Sequence, residues 1–200
     1  MYQISKLTGK EYFNGVEIPK DDTNQLFIDR CLFLTNGGVF EEIESTPEEI
    51  TETKTNELTL RITNAFTYLR QRALASSIGK PISLGWEYIK EQADQYRYKY
   101  AVAKGNITDA FVSQMIANEA LDFGITEQQM NQLVIDKFEQ GESAYLSFTA
   151  MIERARTKAL TMLEINDFVK AEQIVVMMEN VPETLTMQDA EILTNQMLAI

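Results

Sequence analysis

The chain has 200 residues, 44% of them hydrophobic and 10% aromatic, which is typical of a folded protein with a substantial core and excludes global disorder. It contains no histidine and one cysteine, which excludes Ser-His-Asp and Cys-His catalytic arrangements and zinc sites built on these residues. No apolar run approaches the about 20 residues that span a bilayer, and the N-terminus has no secretion-signal pattern, so we expect synthesis in the cytoplasm and no membrane partner.

The first twenty residues are predicted to form a small β-structure. Tyr2 and Ile4 alternate with polar neighbours, as a strand requires. Residues 11–13 and 16–18 flank Asn14-Gly15, the pair typical of a two-residue hairpin turn with positive φ at both positions. Pro19 lacks a backbone donor and is expected to end the second strand.

A single helix is predicted after the hairpin. Asp21, Asp22 and Thr23 supply capping side chains, and Gly37-Gly38 suits a helix end. The positions with helical spacing between them are Leu26, Phe27, Arg30, Phe33 and Leu34. We therefore interpret residues 1–40 as a β-hairpin–helix docking module, too small to be stable alone, and residues 41–46 as a short acidic linker.

Residues 47–200 are predicted to form an all-helical domain. The sequence Thr46-Pro47-Glu48-Glu49 has the pattern of a capping box with proline at the first helical position. This helix is expected to run to about Ser77. Its predicted inward stripe is Leu58, Ile62, Ala65, Phe66, Leu69 and Ala73.

The rest of the domain repeats one pattern, in which a capping residue opens an amphipathic helix and glycine or proline ends it. The expected ends are Gly105, Gly124, Gly141 and Pro182, and the chain either continues or breaks as a helix near Asn166-Asp167. The expected starts include Thr108, Thr126 with Gln129, and Thr186 with Asp189. The helix opened by Thr108 is expected to bury Phe111, Met115, Ile116 and Phe123. About seven helices after the linker, without a constant repeat, predict a mainly α fold with an irregular multi-helix bundle.

Aromatic residues are concentrated in the helix predicted over residues 83–104. Trp86, Tyr96 and Tyr100 share its inward stripe, whereas Tyr98 lies on another face. Basic residues interleaved with aromatics can grip single-stranded nucleic acid. A helix with apolar groups on several sides is more typical of a domain centre or a subunit interface, which is the interpretation we adopt.

Charge is spread unevenly along the chain. Residues 58–104 carry 8 basic and 3 acidic groups, net +5, whereas residues 105–200 carry 5 basic and 15 acidic groups, net −10. The basic segment either faces an acidic partner or pairs with the acidic remainder of its own chain, which we prefer. The net charge of −12 repels phosphate backbones and anionic membranes, so neither nucleic acid nor a membrane is expected as a partner.

Neither the carboxylate pairs nor Cys31 indicates a catalytic or metal site. The acidic pairs fall at predicted helix starts or in the linker, where the helix dipole or solvent accommodates them. An EF-hand loop counted from Asp21 would have Leu26 and Leu32 where glycine and glutamate are needed. Cys31 is interpreted as a small buried hydrophobe, and no catalytic residue, cofactor or metal is predicted.

One stretch resembles a known family. The chain begins Met1-Tyr2-Gln3-Ile4, continues with Ile18-Pro19-Lys20-Asp21-Asp22-Thr23-Asn24, and then carries an aromatic helix ending at Gly37-Gly38. This is similar to the N-terminal module of small tail-associated and tail-assembly proteins of tailed bacteriophages, which typically begin Met-Tyr-Lys, continue to Ile-Pro-x-Asp-x-x-Asn, and carry a Tyr/Trp-bearing helix ending Gly-Asn. The departures are Phe27 and Arg30 in place of tyrosines, Phe33 in place of tryptophan, and Gly38 in place of asparagine. The resemblance covers about a fifth of the chain.

The resemblance implies a virion or assembly role without enzyme activity and does not say which part of the particle. We expect the tail or the neck at the head–tail junction. The protein would be made in the host cytoplasm and incorporated into the virion. The expected partners are other virion or assembly proteins, and a homo-oligomer or part of a ring is expected. The candidate contact residues are Phe27, Phe33, Trp86 and Tyr98. Two alternatives stay open: a non-virion assembly chaperone or acidic helical adaptor, and a carboxylate-dependent enzyme.

Overall fold

The computed structural model describes residues 1–182 and 187–200 and has a mainly α fold. A small four-stranded sheet lies at the N-terminus, and seven α-helices account for most of the described chain. The predicted fold class is confirmed. The chain divides into two compact units, Met1–Leu58 and Thr59–Ile200, so the boundary falls inside a helix and not at residues 41–46.

The hairpin of the first unit forms as predicted. The sheet order is β3-β2-β1-β4, with strands β1 (Tyr2–Ser5), β2 (Glu11–Phe13), β3 (Val16–Glu17) and β4 (Glu41–Ile43). β2 and β3 are antiparallel, with Phe13 opposite Val16. Asn14 and Gly15 have φ values of 51° and 81°, the left-handed values that a type I′ turn needs at both central positions.

Strand β4 corrects the predicted linker 41–46. Its residues pair in parallel with β1, with Gln3 opposite Glu41 and Ser5 opposite Ile43. The acidic composition of the segment indicated a linker, but charged residues are also common on edge strands, where they face water and protect the edge from aggregation. Residues 41–43 therefore belong to the sheet of the first unit, and residues 44–46 connect it to the helix that begins at Pro47.

Helix α1 spans Gln25–Thr35. Its N-cap is Asn24, whose side chain accepts a hydrogen bond from the Leu26 amide at 2.9 Å; the predicted cap Asp21 instead holds the preceding turn by accepting from Thr23. At the other end the Gly38 amide donates to the Phe33 carbonyl and the Gly37 amide to the Leu34 carbonyl, as in a Schellman motif. No residue of α1 is fully buried.

Helix α2 spans Pro47–Ser77 and begins with the predicted capping box. The Glu49 amide donates to the Thr46 hydroxyl at 3.2 Å, and the Thr46 amide donates to the Glu49 carboxylate at 3.0 Å. The predicted inward stripe is largely confirmed, because Leu58, Ile62 and Leu69 are almost completely buried.

Five further helices complete the second unit: α3 (Trp86–Ala103), α4 (Ala110–Phe123), α5 (Glu127–Glu164), α6 (Phe168–Glu179) and α7 (Met187–Ala199). A short 3₁₀ turn, Ile82–Leu84, precedes α3. The predicted capping box of Thr126 with Gln129 is present, and the break near Asn166-Asp167 separates α5 from α6. The predicted cap at Thr186 lies outside the described residues.

Gly141 does not end a helix, contrary to the prediction. Helix α5 runs through it without interruption, so six α-helices follow residue 46 in the described part of the chain, where about seven were expected. A Cβ at Gly141 would lie 2.3 Å from the carbonyl oxygen of Ser77 at the end of α2. The glycine is therefore explained by the close approach of another helix, which a local sequence pattern does not reveal.

Helices α3, α4 and α5 share a small core. Its buried members are Val102, Ile116, Ala120, Met130 and Val134. The side of α4 that faces this core therefore carries Val112, Ile116 and Ala120, which are spaced four residues apart. The predicted burial of Phe111, Met115 and Phe123 is wrong, because these side chains are exposed and only Ile116 of that stripe is buried.

The basic middle segment pairs with the acidic C-terminal segment. The Arg61 guanidinium makes two hydrogen bonds to Glu179, at 3.0 and 2.7 Å. Lys99 contacts Glu119 at 2.5 Å and Lys104 contacts Glu139 at 2.8 Å. These bonds hold α2 to α6, α3 to α4 and α3 to α5, which supports the intrachain interpretation of the charge pattern.

Candidate partner-contact surfaces

A buried polar cluster ties the sheet of the first unit to the first turn of α2. The Glu49 carboxylate accepts hydrogen bonds from the Thr8 hydroxyl and the Tyr12 hydroxyl, each at 2.7 Å, as well as from the Thr46 amide. Ser5 is buried beside them, and its hydroxyl lies 3.2 Å from that of Ser45. We call these residues, Ser5, Thr8, Tyr12, Thr46 and Glu49, the Glu49 cluster.

The electrostatics of the Glu49 cluster suit a structural role. Burial alone raises the pKa of Glu49, but the hydrogen bonds from Thr8, Tyr12, Thr46 and Ser5 outweigh burial and lower that pKa to about 2. Burial and the hydrogen bond to Glu49 raise the pKa of Tyr12 to about 12. A group that transfers protons at neutral pH needs a pKa near the working pH, so this pair is poorly matched to acid–base catalysis.

Phe33, a predicted contact residue, packs inside the first unit. Its ring stacks on Tyr2 with 4.3 Å between centroids and meets Phe40 edge-on at 6.0 Å. A Cβ at Gly38 would lie 2.4 Å from the same ring, so the ring also covers the end of α1. The half-buried Phe33 thus holds α1 to the sheet, and a direct partner contact at this residue stays a prediction.

Phe27 lies on a different side of α1, at a shallow cleft. The cleft has a volume of about 230 Å³ and is lined by Asp22, Phe27, Ile28, Cys31, Leu32 and Thr35. Ile28 and Leu32 are exposed, while Phe27 and Cys31 are half-buried, so Cys31 is not the fully buried residue expected from sequence. We call this side of the helix the α1 outer surface.

Trp86 begins α3 and is half-buried. It lines an open cleft of about 250 Å³ together with Thr67, Arg70, Gln71 and Tyr145. Part of the indole therefore packs against α2 and α5, and part faces solvent. A partner contact at the exposed part of the indole stays a prediction.

Tyr98 is exposed but has an internal partner. Its hydroxyl donates to the Asp109 carboxylate at 2.9 Å, and the same carboxylate caps α4 by accepting from the Val112 amide at 3.0 Å. The Val112 and Tyr98 hydrogen bonds lower the pKa of Asp109. Tyr98 thus fixes the start of α4, and any partner contact would use the remaining exposed part of its ring.

The four predicted contact residues are divided between the two units. Phe27 and Phe33 belong to the first unit and point to different sides of α1, whereas Trp86 and Tyr98 belong to the second unit. The described residues contain no group of three or more Cys, Asp or Glu side chains that could hold a metal ion.

Sequence reasoning missed an exposed apolar surface on α4. It consists of Phe111, Met115 and Leu121, and we call it the α4 outer surface. The sequence does show that α4 has two apolar sides. Val112, Ile116 and Ala120 form one stripe at a spacing of four residues, and Phe111 and Met115 lie outside that stripe.

Two further findings concern the chain as a whole. In the part that the structure describes, no helix combines the length and apolar character needed to cross a membrane. Comparisons of the chain with protein-family models, curated protein sequences and solved structures give no match.

Proposed function

We propose that this chain is a structural or assembly protein of a tailed bacteriophage, acting by protein–protein packing in the tail or the neck region. Its partners would be other virion or assembly proteins, and several copies would associate as a homo-oligomer or as part of a ring. The family resemblance of residues 1–40 supports the virion assignment. The packing role rests on the structure of α1.

The observation that carries the proposal is the two-sided character of α1. One side holds the helix to the sheet through Phe33 and through Arg30, whose guanidinium makes two hydrogen bonds of 2.6 Å to Glu11. The other side presents the apolar α1 outer surface to solvent, and no α1 residue is fully buried. Contiguous exposed apolar surface of this kind marks protein–protein contact sites.

The chemistry of the polar groups gives little support to an enzyme. The buried carboxylate of Glu49 is held ionised by its hydrogen bonds, and its ionisable hydrogen-bond partner, Tyr12, is held protonated. The proposal therefore assigns no catalytic residue, cofactor or metal.

A non-virion assembly chaperone is the second candidate. The observation that favours it is the combination of a net charge of −12 with apolar surfaces on α1 and α4. Apolar surface would hold an aggregation-prone partner, while the acidic charge would keep the complex in solution.

An amber mutation in the gene tests the proposal in a phage that carries it. After infection of a non-suppressing host, electron microscopy should show incomplete particles, and the wild-type protein supplied from a plasmid should restore complete ones. Normal particle yield and normal morphology without the protein would contradict a structural or assembly role. A virion protein and an assembly chaperone would both give incomplete particles when absent. Whether purified particles contain the protein distinguishes the two.

A further inference from the structure

The α4 outer surface has no role in the packing of the second unit. Phe111 and Leu121 are 74% and 77% exposed, although both are large apolar side chains. The inward side of α4 is fully occupied by Val112, Ile116 and Ala120, which pack with Met130 and Val134. Exposed apolar residues grouped on one helix are a solubility liability unless something covers them.

The arrangement suits the docking of a helix. Steps of four and three residues join Phe111, Met115, Asn118 and Leu121 along the exposed side of α4. This spacing matches the anchors that an amphipathic helix offers to a partner helix.

The charge around the surface indicates what kind of helix would cover it. Residues 105–136 contain five acidic residues and no lysine or arginine. Three of the five have partners in the described chain: Asp109 accepts from Tyr98, Glu119 is paired with Lys99, and Asp136 accepts from Gln132. Asp122 and Glu127 are exposed, and among residues 1–182 and 187–200 no cation lies within ion-pair distance of either.

We infer that the α4 outer surface binds a basic amphipathic helix of another protein. The apolar side chains of that helix would cover Phe111, Met115 and Leu121, and its lysines or arginines would face Asp122 and Glu127. A second copy of this chain fits less well, because the pairing of two α4 helices would bring uncompensated carboxylates together. The inference rests on the proposed role in protein–protein packing, but not on the bacteriophage assignment.

Two synthetic helical peptides test the inference with the full chain. Each has about 20 residues, long enough to be helical in water, and leucines at i, i+3, i+4 and i+7. One carries lysine at the remaining positions and the other glutamate. Fluorescence anisotropy should show binding of the lysine peptide at least about tenfold tighter than that of the glutamate peptide.

Matched variants locate the binding site. The double variant Phe111→Ser, Leu121→Ser should bind the lysine peptide at least about tenfold more weakly. The control is Val169→Ser with Val176→Ser, which removes two exposed apolar side chains from α6 and should leave binding unchanged. Asp122→Lys should weaken binding about threefold, whereas Glu164→Lys, on α5, should not. Circular dichroism verifies that each variant is folded.

Three results would overturn the inference. The first is no binding of the lysine peptide, or equal binding of the glutamate peptide. The second is an equal loss of affinity in the α6 control. The third is a dimer of the wild-type chain in sedimentation velocity that Phe111→Ser with Leu121→Ser abolishes, because a second copy would then occupy the surface. None of these results bears on whether the protein belongs to a virion, which the phage genetics tests separately.

Discussion

Glu49 is a buried carboxylate of the first unit, 4% exposed, that links two of its elements. A carboxylate buried in this way is costly unless hydrogen bonds replace its water, and here two hydroxyl groups and a backbone amide do so. Its donors come from the β1–β2 region and from the start of α2. The same carboxylate therefore caps a helix and joins that helix to the sheet.

Replacement of Glu49 by glutamine tests this role. The native pKa of about 2 lies below the ordinary value of 4.5, so the carboxylate adds stability above about pH 5 that is lost as the pH falls towards 2. The shift corresponds to about 3 kcal/mol, and we expect Glu49→Gln to lose about 2 to 3 kcal/mol of unfolding free energy at pH 7 and almost none at pH 2. Urea unfolding at several pH values measures the difference. The control Glu48→Gln, at an exposed neighbour, should change little, and equal stability of Glu49→Gln and wild type at pH 7 would refute the role.

Tyr98 provides a second prediction at a single residue. Its hydroxyl is one of the two main donors to Asp109, so Tyr98→Phe should raise the pKa of Asp109 towards the ordinary value. The Val112 hydrogen bond remains, so part of the depression should persist. Carboxyl-carbon NMR titration measures this pKa, and Tyr88→Phe, at another exposed tyrosine of α3, serves as the control. An unchanged Asp109 pKa in Tyr98→Phe would show that the hydrogen bond is not formed in solution.

At the scale of elements, helix propensity favours alanine at position 141, whereas packing against another helix favours glycine. Gly141→Ala should favour an isolated helix by about 1 kcal/mol. In the folded protein the new methyl group would meet the Ser77 carbonyl at 2.3 Å, and this is backbone that cannot rotate away. We expect net destabilisation of about 1 to 3 kcal/mol, as for other overpacked sites.

Thermal unfolding of Gly141→Ala is compared with Ser143→Ala. Ser143 is exposed in the same helix, so its replacement by alanine should be neutral or slightly stabilising. A more stable Gly141→Ala protein would mean that α2 and α5 do not approach as closely as the structure indicates.

Elements set by local chemistry were predictable from sequence. The Asn14-Gly15 hairpin and the Thr46–Glu49 capping box each depend on neighbouring residues only, and both form as expected. Elements that depend on contacts with residues far away in the sequence were not predictable from it. Strand β4 forms because β1 lies beside it, and position 141 needs glycine because the Ser77 carbonyl lies close to it. Neither contact leaves a pattern in the neighbouring sequence.

The candidate surfaces were only partly predictable for the same reason. Helical spacing identifies apolar residues on α1 and α4 but not which side faces the core when both sides are apolar. Helical spacing therefore did not reveal that the Phe33 ring packs on Tyr2 within the first unit, although a partner contact at Phe33 stays a prediction. Phe111 appeared as a core residue although it is exposed.

At the scale of the whole molecule, some charged residues pair within the chain and the rest set its net charge. The basic segment 58–104 is engaged in part by Glu119, Glu139 and Glu179. The acidic excess that remains gives the chain its net charge of −12. Charge of this sign favours partners with basic surfaces and speeds their association.

The α1 outer surface gives a prediction for assembly. Leu32 is 56% exposed on this surface, and Val16, in the hairpin of the same unit, is 58% exposed. Leu32→Ser and Val16→Ser should each change stability by less than about 1 kcal/mol, because neither residue is part of the core. Only Leu32→Ser should fail to complement the amber phage in a plaque assay. Full complementation by a folded Leu32→Ser protein would exclude this surface as an essential contact.

The central claim, that this protein is a virion component, is tested most directly by quantitative mass spectrometry of purified particles from the phage that carries the gene. The proposal predicts that the protein is present at a constant ratio to other structural proteins, with a copy number that fits a ring or another symmetric position. Absence from purified particles, together with abundance in the infected-cell lysate, would contradict the claim and favour the assembly chaperone.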